Sequence, residues 1–256
     1  MTQLRIITLV LASLLISACA NNQHKVPHDP WEGVNRGIYK FNDVIDRAVI
    51  KPVAKGYDKV MPKPVDKGID NVLSNIGDVV VLVNDILQLK LKQSASDTGR
   101  LLMNSTLGLA GIFDVATPLG MPKHNEDFGQ TLGYWGTPSG PYLVLPFFGP
   151  SSVRDGIGML PDSAVNHLVL NEIGIDEMDE RLIYTGLYVV NTRQGLLGAS
   201  ELLDNSGADP YTFLRESYLQ RRVKLVSDGK ISPKKLNQAE EDALFGDDEE
   251  CRASLS

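Results

Sequence analysis

Two cysteines and four histidines are all that the 256 residues contain of those types. With only Cys19 and Cys251, and Cys19 placed at the end of a leader-like segment, no disulfide framework can form. His24, His28, His124 and His167 are scattered, and none sits in an H-E-x-x-H pattern. No Walker loop, G-x-S-x-G elbow or C-x-x-C motif is present. Catalysis requires a nucleophile or base with an orienting partner, and nothing local nominates one. The expectation is a protein that is not an enzyme and holds no cofactor or metal. His124-Asn125-Glu126-Asp127, the one compact polar cluster, reads as a loop before a helix. Basic charge is scarce too: 25 Lys and Arg against 32 Asp and Glu give −7, which argues against a nucleic-acid partner.

A further scarcity is local. Residues 128–153, FGQTLGYWGTPSGPYLVLPFFGPSSV, contain no charged side chain in a protein that is 22% charged. About 20 apolar residues suffice to cross a bilayer core as a helix. Pro138, Pro141, Pro146 and Pro150, with Gly133, Gly136, Gly140 and Gly149, rule out one continuous helix here. Irregular backbone at membrane depth survives only where protein or a water-lined cavity satisfies its polar groups.

The N-terminus supplies a membrane connection. Arg5 precedes an apolar run, IITLVLASLLI, of signal-peptide length and too short for a span. The sequence Ile16-Ser17-Ala18-Cys19 that follows resembles a bacterial lipobox, in which cleavage leaves an acylated cysteine as the first residue. More than one acyl chain makes such an anchor stable. Ala20, not an aspartate, follows Cys19, which favours delivery to the outer membrane. Removal of residues 1–18 takes away Arg5 and no acid, leaving a charge of −8. Residues 19–28 then read as a lipidated tether.

The rest reads as helix. Asp29-Pro30-Trp31-Glu32 has the form of a helix start, with Asp29 as N-cap. Trp31, Val34, Ile38, Phe41, Ile45 and Ala48 form one apolar stripe, interrupted by Pro52. A second stripe runs Val65, Ile69, Val72, Ile76, Val80, Val83 and Leu87. Ser96-Asp97 is expected to cap a third helix over 98–115, and a short helical turn is expected over 150–158. Longer helices are expected over 179–204 and 209–227. Residues 229–256, with seven acids between Glu240 and Glu250, read as an acidic, disordered tail. No strand ladder and no internal repeat stand out. The fold class is therefore all-α, with a single domain of amphipathic helices over 29–228. Whether the stripes meet in an ordinary dry core or face lipid is open at this level.

Asn104, Ser105 and Thr106 are adjacent and polar within the otherwise apolar stretch 101–113. Residues 100° apart on a helix cannot all face one dry core, so Asn104 or Ser105 is a candidate water-facing position. Helix capping by Asn104 and a fold-back of Ser105 onto its own backbone are the alternatives. Gly108 and Gly111 follow as candidate hinge positions.

Several long segments resemble the MlaA (VacJ-type) lipoproteins: DPWEGVNRGIYKFN from Asp29, LLMNSTLGLAGIFDVA from Leu101, EDFGQTLGYWG from Glu126, GPYLVLPFFGPSSVRDGIG from Gly140 and DPYTFLRESYLQRR from Asp209. The resemblance implies a helical ring embedded in the inner leaflet of the outer membrane, facing the periplasm, with apolar stripes outward and polar faces inward. It implies a channel carrying phospholipid to a periplasmic MlaC-like carrier, association with a trimeric porin, and maintenance of lipid asymmetry. It places Phe41 and Asn42 in the helical ring around that channel, and Asn104, Ser105, Gly108 and Gly111 become lipid-path or hinge candidates. The alternative is a lipid-anchored structural or adhesion lipoprotein without transport. One prediction follows from the leader: Cys19→Ser should abolish acyl labelling and remove the protein from the outer-membrane fraction, whereas retention there would reveal a different anchor.

Overall fold

The computed structural model describes residues 29–230. The expected leader, the anchor at Cys19, the tether and nearly all of the acidic tail lie outside them. The first helix, α1, spans Glu32–Ile45. Asp29 does not cap it with its side chain; only its carbonyl accepts the Glu32 amide, at 3.2 Å. Its carboxylate is committed elsewhere, as described below. Pro52 does not interrupt the stripe. A π-helical turn, Asp46–Ile50, leads straight into α2, Lys51–Val60, with Pro52 in its first positions. There the missing N–H costs little, because the regular i→i−4 ladder has already been broken by the π turn.

Pro62 and Pro64 flank the start of α3, Lys63–Leu87, which covers the second stripe as expected. Its 25 residues extend about 37 Å. Leu89, with φ of 58°, turns the chain into α4, Leu91–Thr106. This helix starts and ends earlier than the sequence suggested. Ser94 and Thr98 bond the carbonyls four residues back, at 3.0 and 2.7 Å, and so are accommodated inside the helix. Ser96-Asp97 therefore lies mid-helix. The C-terminal side of the expected helix is instead a turn in which Leu109, Ala110 and Gly111 are left-handed.

The uncharged stretch is neither a span nor irregular throughout. It forms α5, Phe128–Tyr134, capped by Asp127, and then a hairpin of β1, Tyr142–Leu145, and β2, Gly149–Ser152. The antiparallel register pairs Tyr142 with Ser152 and Leu145 with Gly149. Four-residue strands are too short to produce a ladder signal in sequence, which is why this sheet was not expected. The short helix foreseen over 150–158 is α6, Val153–Glu172, and it continues through Pro161. The helix foreseen over 179–204 is divided at Leu196 into α7, Met178–Gly195, and α8, Leu197–Ser206. Last comes α9, Pro210–Val226.

The elements touch in a closed circuit. α1 lies on β1, α9 on β2 and α5, α5 on α6, and α6 on α3, which also holds α4. Asn191 of α7 bonds Asp70 of α3 at 2.6 Å, and Arg193 of α7 bonds Asp46 at 2.7 Å, returning the circuit to α1. The α5–α6 crossing is tight enough to require glycine. A Cβ at Gly158 would lie 2.5 Å from the Gly129 nitrogen.

What fills the inside is the decisive feature. Among the described residues, twenty buried side chains are polar or charged and eight are hydrophobic. Not one residue of the two apolar stripes is buried. The buried residues of α4 are Ser94, Asp97, Arg100 and Asn104, polar at helical spacing. The molecule is inverted relative to a water-soluble core.

Candidate functional site: a polar interior inside an apolar shell

The interior is built from Asn, Asp and Arg side chains that tie elements together. On α1, Asn35 and Asn42 stand two turns apart and grip the hairpin in the same manner. The Asn35 amide donates to the Tyr142 carbonyl at 3.1 Å and accepts from the Val144 N–H at 2.9 Å. The Asn42 amide donates to the Leu145 carbonyl at 3.0 Å and accepts from the Phe147 N–H at 2.9 Å. Each side chain thus copies a peptide group and satisfies the free edge of β1, which would otherwise bury unpaired backbone.

Asp29 joins this clamp to α9. It is fully buried and accepts from Asn35 at 2.8 Å, from Arg215 at 3.2 Å and from the Tyr211 hydroxyl. Burial, with the neighbouring Asp29 charge, raises the Tyr211 pKa, so the phenol stays a donor. Arg222 of α9 bridges Asp127 and Asp155, each at 2.9 Å, while Arg154 also donates to Asp155 at 2.9 Å. Burial disfavours the Asp127 charge, but Arg222 outweighs it and the pKa is lowered.

Between α3 and α4, Arg100 donates to Asp78 at 3.3 Å, Asp114 at 3.1 Å and Thr117 at 2.7 Å. Burial works against ionisation of Asp114, yet Thr117 and Arg100 hold its pKa down at about 2. Asn104, 3% exposed, is part of this cluster. Its oxygen accepts from the Val115 and Ala116 amides at 2.9 and 3.1 Å, and its nitrogen donates to Asp114 at 3.3 Å. Asn104 therefore staples the loop after α4. Ser105 is exposed and accepts from Asn75 at 3.0 Å. Gly108 and Gly111 are close-packing positions. Gly111, with φ of 92°, lies so near that a Cβ would come within 2.7 Å of the Asn75 side chain. At Gly108 a Cβ would meet the Asn104 and Phe113 carbonyls. Phe41 is 47% exposed and meets Phe147 edge-on at 5.4 Å.

The outer surface carries the opposite chemistry. Phe147 and Phe148 at the hairpin tip are more than 70% exposed. Trp135, Leu107, Leu109, Phe113, Leu160 and Leu202 are exposed as well, on different elements of the circuit. Among the described residues, no helix is long and apolar enough to cross a membrane.

Several of these residues were not singled out from sequence: Asn35, Asp78, Arg100 and Asp155. A signal existed. On α3, Asn71, Asn75, Asp78, Asp85 and Gln88 recur at spacings of four, three, seven and three, a polar stripe as regular as the apolar one beside it.

A closed circuit of short and long helices, with a polar interior and many exposed apolar side chains, defines a helical protein of inverted polarity. The family model described as MlaA lipoprotein matches residues 27–225. The chain belongs to the MlaA lipoprotein family. It is 32% identical over 233 residues to the intermembrane phospholipid transport system lipoprotein MlaA of Haemophilus influenzae, covering 88% of this chain and 92% of that one. The Escherichia coli K12 protein of the same name is 32% identical over 237 residues, covering 90% and 92%. An uncharacterised Rickettsia felis protein is 33% identical over 196 residues, 76% of each chain. A solved structure, from work on the structural basis for maintenance of bacterial outer membrane lipid asymmetry, superposes with TM-score 0.67 at 31% identity. It covers 77% of this chain and 98% of that one.

The buried network makes a testable distinction. Asp29→Ala should take away the buried acceptor that Asn35, Tyr211 and Arg215 share, leaving Arg215 only its half-exposed neighbour Glu216, and cost about 3–5 kcal/mol, read as a lowered midpoint of denaturant unfolding. Lys63→Ala, which breaks an exposed pair with Asp58, should barely move that midpoint.

Proposed function

We propose that this protein is an outer-membrane lipoprotein that gives phospholipids a route from the outer membrane to a periplasmic carrier, and so maintains lipid asymmetry. The observation that carries the proposal is the inversion of polarity: buried Asn, Asp and Arg side chains inside, exposed Leu, Phe and Trp outside. A phospholipid has one strongly polar and one apolar end. Moving it requires a polar path for the headgroup beside apolar surface for the tails. Amphipathic helices lying within one leaflet supply both. The names of the Haemophilus and Escherichia relatives support the same reading.

In this proposal acyl chains on Cys19 hold the domain in the periplasm-facing inner leaflet, beside a trimeric porin, and an MlaC-like carrier collects the lipid. The route runs along the ring of helices to which Phe41 and Asn42 belong. The segment with Asn104, Ser105, Gly108 and Gly111 borders it, with Ser105 as the solvent-facing member and the glycine-packed loop as the part that moves. No nucleotide is needed, since such a component only exposes a path.

Deletion of the gene should raise outer-leaflet phospholipid, measured by a lipase-accessible or chemically labelled surface pool, and the wild-type gene should restore it. Unchanged asymmetry on deletion would favour the structural or adhesion reading instead. In intact outer membrane, Ser105→Cys made in a Cys251→Ser background should react with a water-soluble maleimide. Failure to react while Asn125→Cys reacts would move the path elsewhere.

A further inference from the structure

Where α3 turns into α4, acids gather away from the segments assigned above to the lipid path. Asp85 is fully buried, Asp97 is 2% exposed and Glu126 is 8% exposed. Gln93 divides its amide between two of them, donating to Asp85 at 2.7 Å and to Glu126 at 2.9 Å. Glu126 is further held by Lys90 at 2.9 Å and Gln88 at 3.0 Å. Asp97 is met by the His124 ring nitrogen at 2.9 Å. That leaves one oxygen of Asp85 buried with no donor, even though the residue has no contact with water. Asp97 stands one helical turn beyond Gln93 on the same side of α4, so it is turned toward Asp85, and its charge acts on that carboxyl.

An unpaired carboxylate oxygen facing a second carboxylate is costly in a dry site. A proton between the two removes the repulsion and supplies the missing donor. Other charged groups facing the site do not replace it. Lys90 is shared between Glu126 and Asp228, Asp162 of α6 is engaged with Asn84 and the Phe128 amide, and Asp78 is neutralised by Arg100 and Lys123. His124 touches only the far partner, Asp97.

We propose that Asp85 and Asp97 share one proton, making the α3–α4 turn a latch that is tight when protonated and loosens as the proton leaves. What the latch holds is specific. Leu89 is left-handed at the turn, and Ile86, Leu87, Leu89 and Leu91 around it are exposed. The latch fixes this apolar tip against residues 124–131, where Thr131 bonds both Asn84 and Gln88. Burial, followed by the Asp97 and Glu126 charges, pushes the Asp85 carboxyl up to about 8.

The sign follows from linkage. A carboxyl raised above its unfolded value of about 4 stabilises fully below that pH, and the stabilisation is lost as pH rises through the folded value. Asp85→Asn keeps the acceptor for Gln93 and gives Asp97 a permanent donor, so it imitates the protonated form. With purified full-length protein in detergent, the folding equilibrium constant of the wild type relative to Asp85→Asn should fall about tenfold per pH unit between pH 5 and 8. Parallel profiles for the two proteins would overturn the proposal. If the variant fails to fold, the wild type decides the matter: with carbon-13 in aspartate carboxyls, the residue 85 signal should be that of a protonated acid at pH 6. A signal already ionised there would overturn it equally.

Discussion

A buried polar group must find a partner, because an orphaned one costs about 1–3 kcal/mol and an orphaned charge more. In most folded proteins this constraint concerns a few side chains. Here it governs the whole interior, since polar side chains supply most of what is buried. Hydrophobic burial among the described residues reduces to small groups such as Tyr142, Val144 and Tyr211 around the hairpin. What keeps neighbouring elements in register is the set of Asn clamps and Arg–Asp bridges. Asn35 and Asn42 set the hairpin on α1, Asp29 sets α1 on α9, Arg222 sets α9 on α5 and α6, and Arg100 sets α3 and α4 on the loop that follows.

Such a scaffold suits the apolar surrounding proposed for it. Exposed Phe147, Phe148, Trp135 and Leu160 would oppose solubility in water, and large apolar surfaces mark membrane or partner contact. In the proposed placement within one leaflet the same residues would gain burial without crossing the bilayer. The inversion thus links sequence pattern to the proposed lipid handling through one physical demand: α1, α3 and α4 each have a polar side and an apolar side, and the circuit keeps them apart.

The positions of the longer elements were legible in the sequence. The stripe from Val65 to Leu87 and the Asp209-Pro210 start located α3 and α9 to within two residues. Periodicity could not say which stripe faces inward, because the spacing of a face carries no information about its solvent. The resemblance to the MlaA lipoproteins supplied that orientation, and burial agrees with it. The hairpin was missed because its strands are four residues long and bounded by glycine and proline. The α4 boundaries were missed because Ser94 and Thr98 bond within the helix and a left-handed leucine makes the turn, a role usually taken by glycine. Asn104, read from sequence as a candidate water-facing position, is buried and staples residues 114–116 instead, a role that depended on long-range geometry.

The inverted architecture is tested most directly by asking what solvent surrounds the apolar face. Trp135 is 61% exposed, and its indole N–H is already bonded to the Leu87 carbonyl at 3.0 Å. In a Trp31→Phe background it is the sole tryptophan. Reconstituted into bilayers with brominated acyl chains, this protein should show strongly quenched fluorescence and little response to aqueous iodide. Strong quenching by iodide with none by brominated chains would place the face in water and contradict the account.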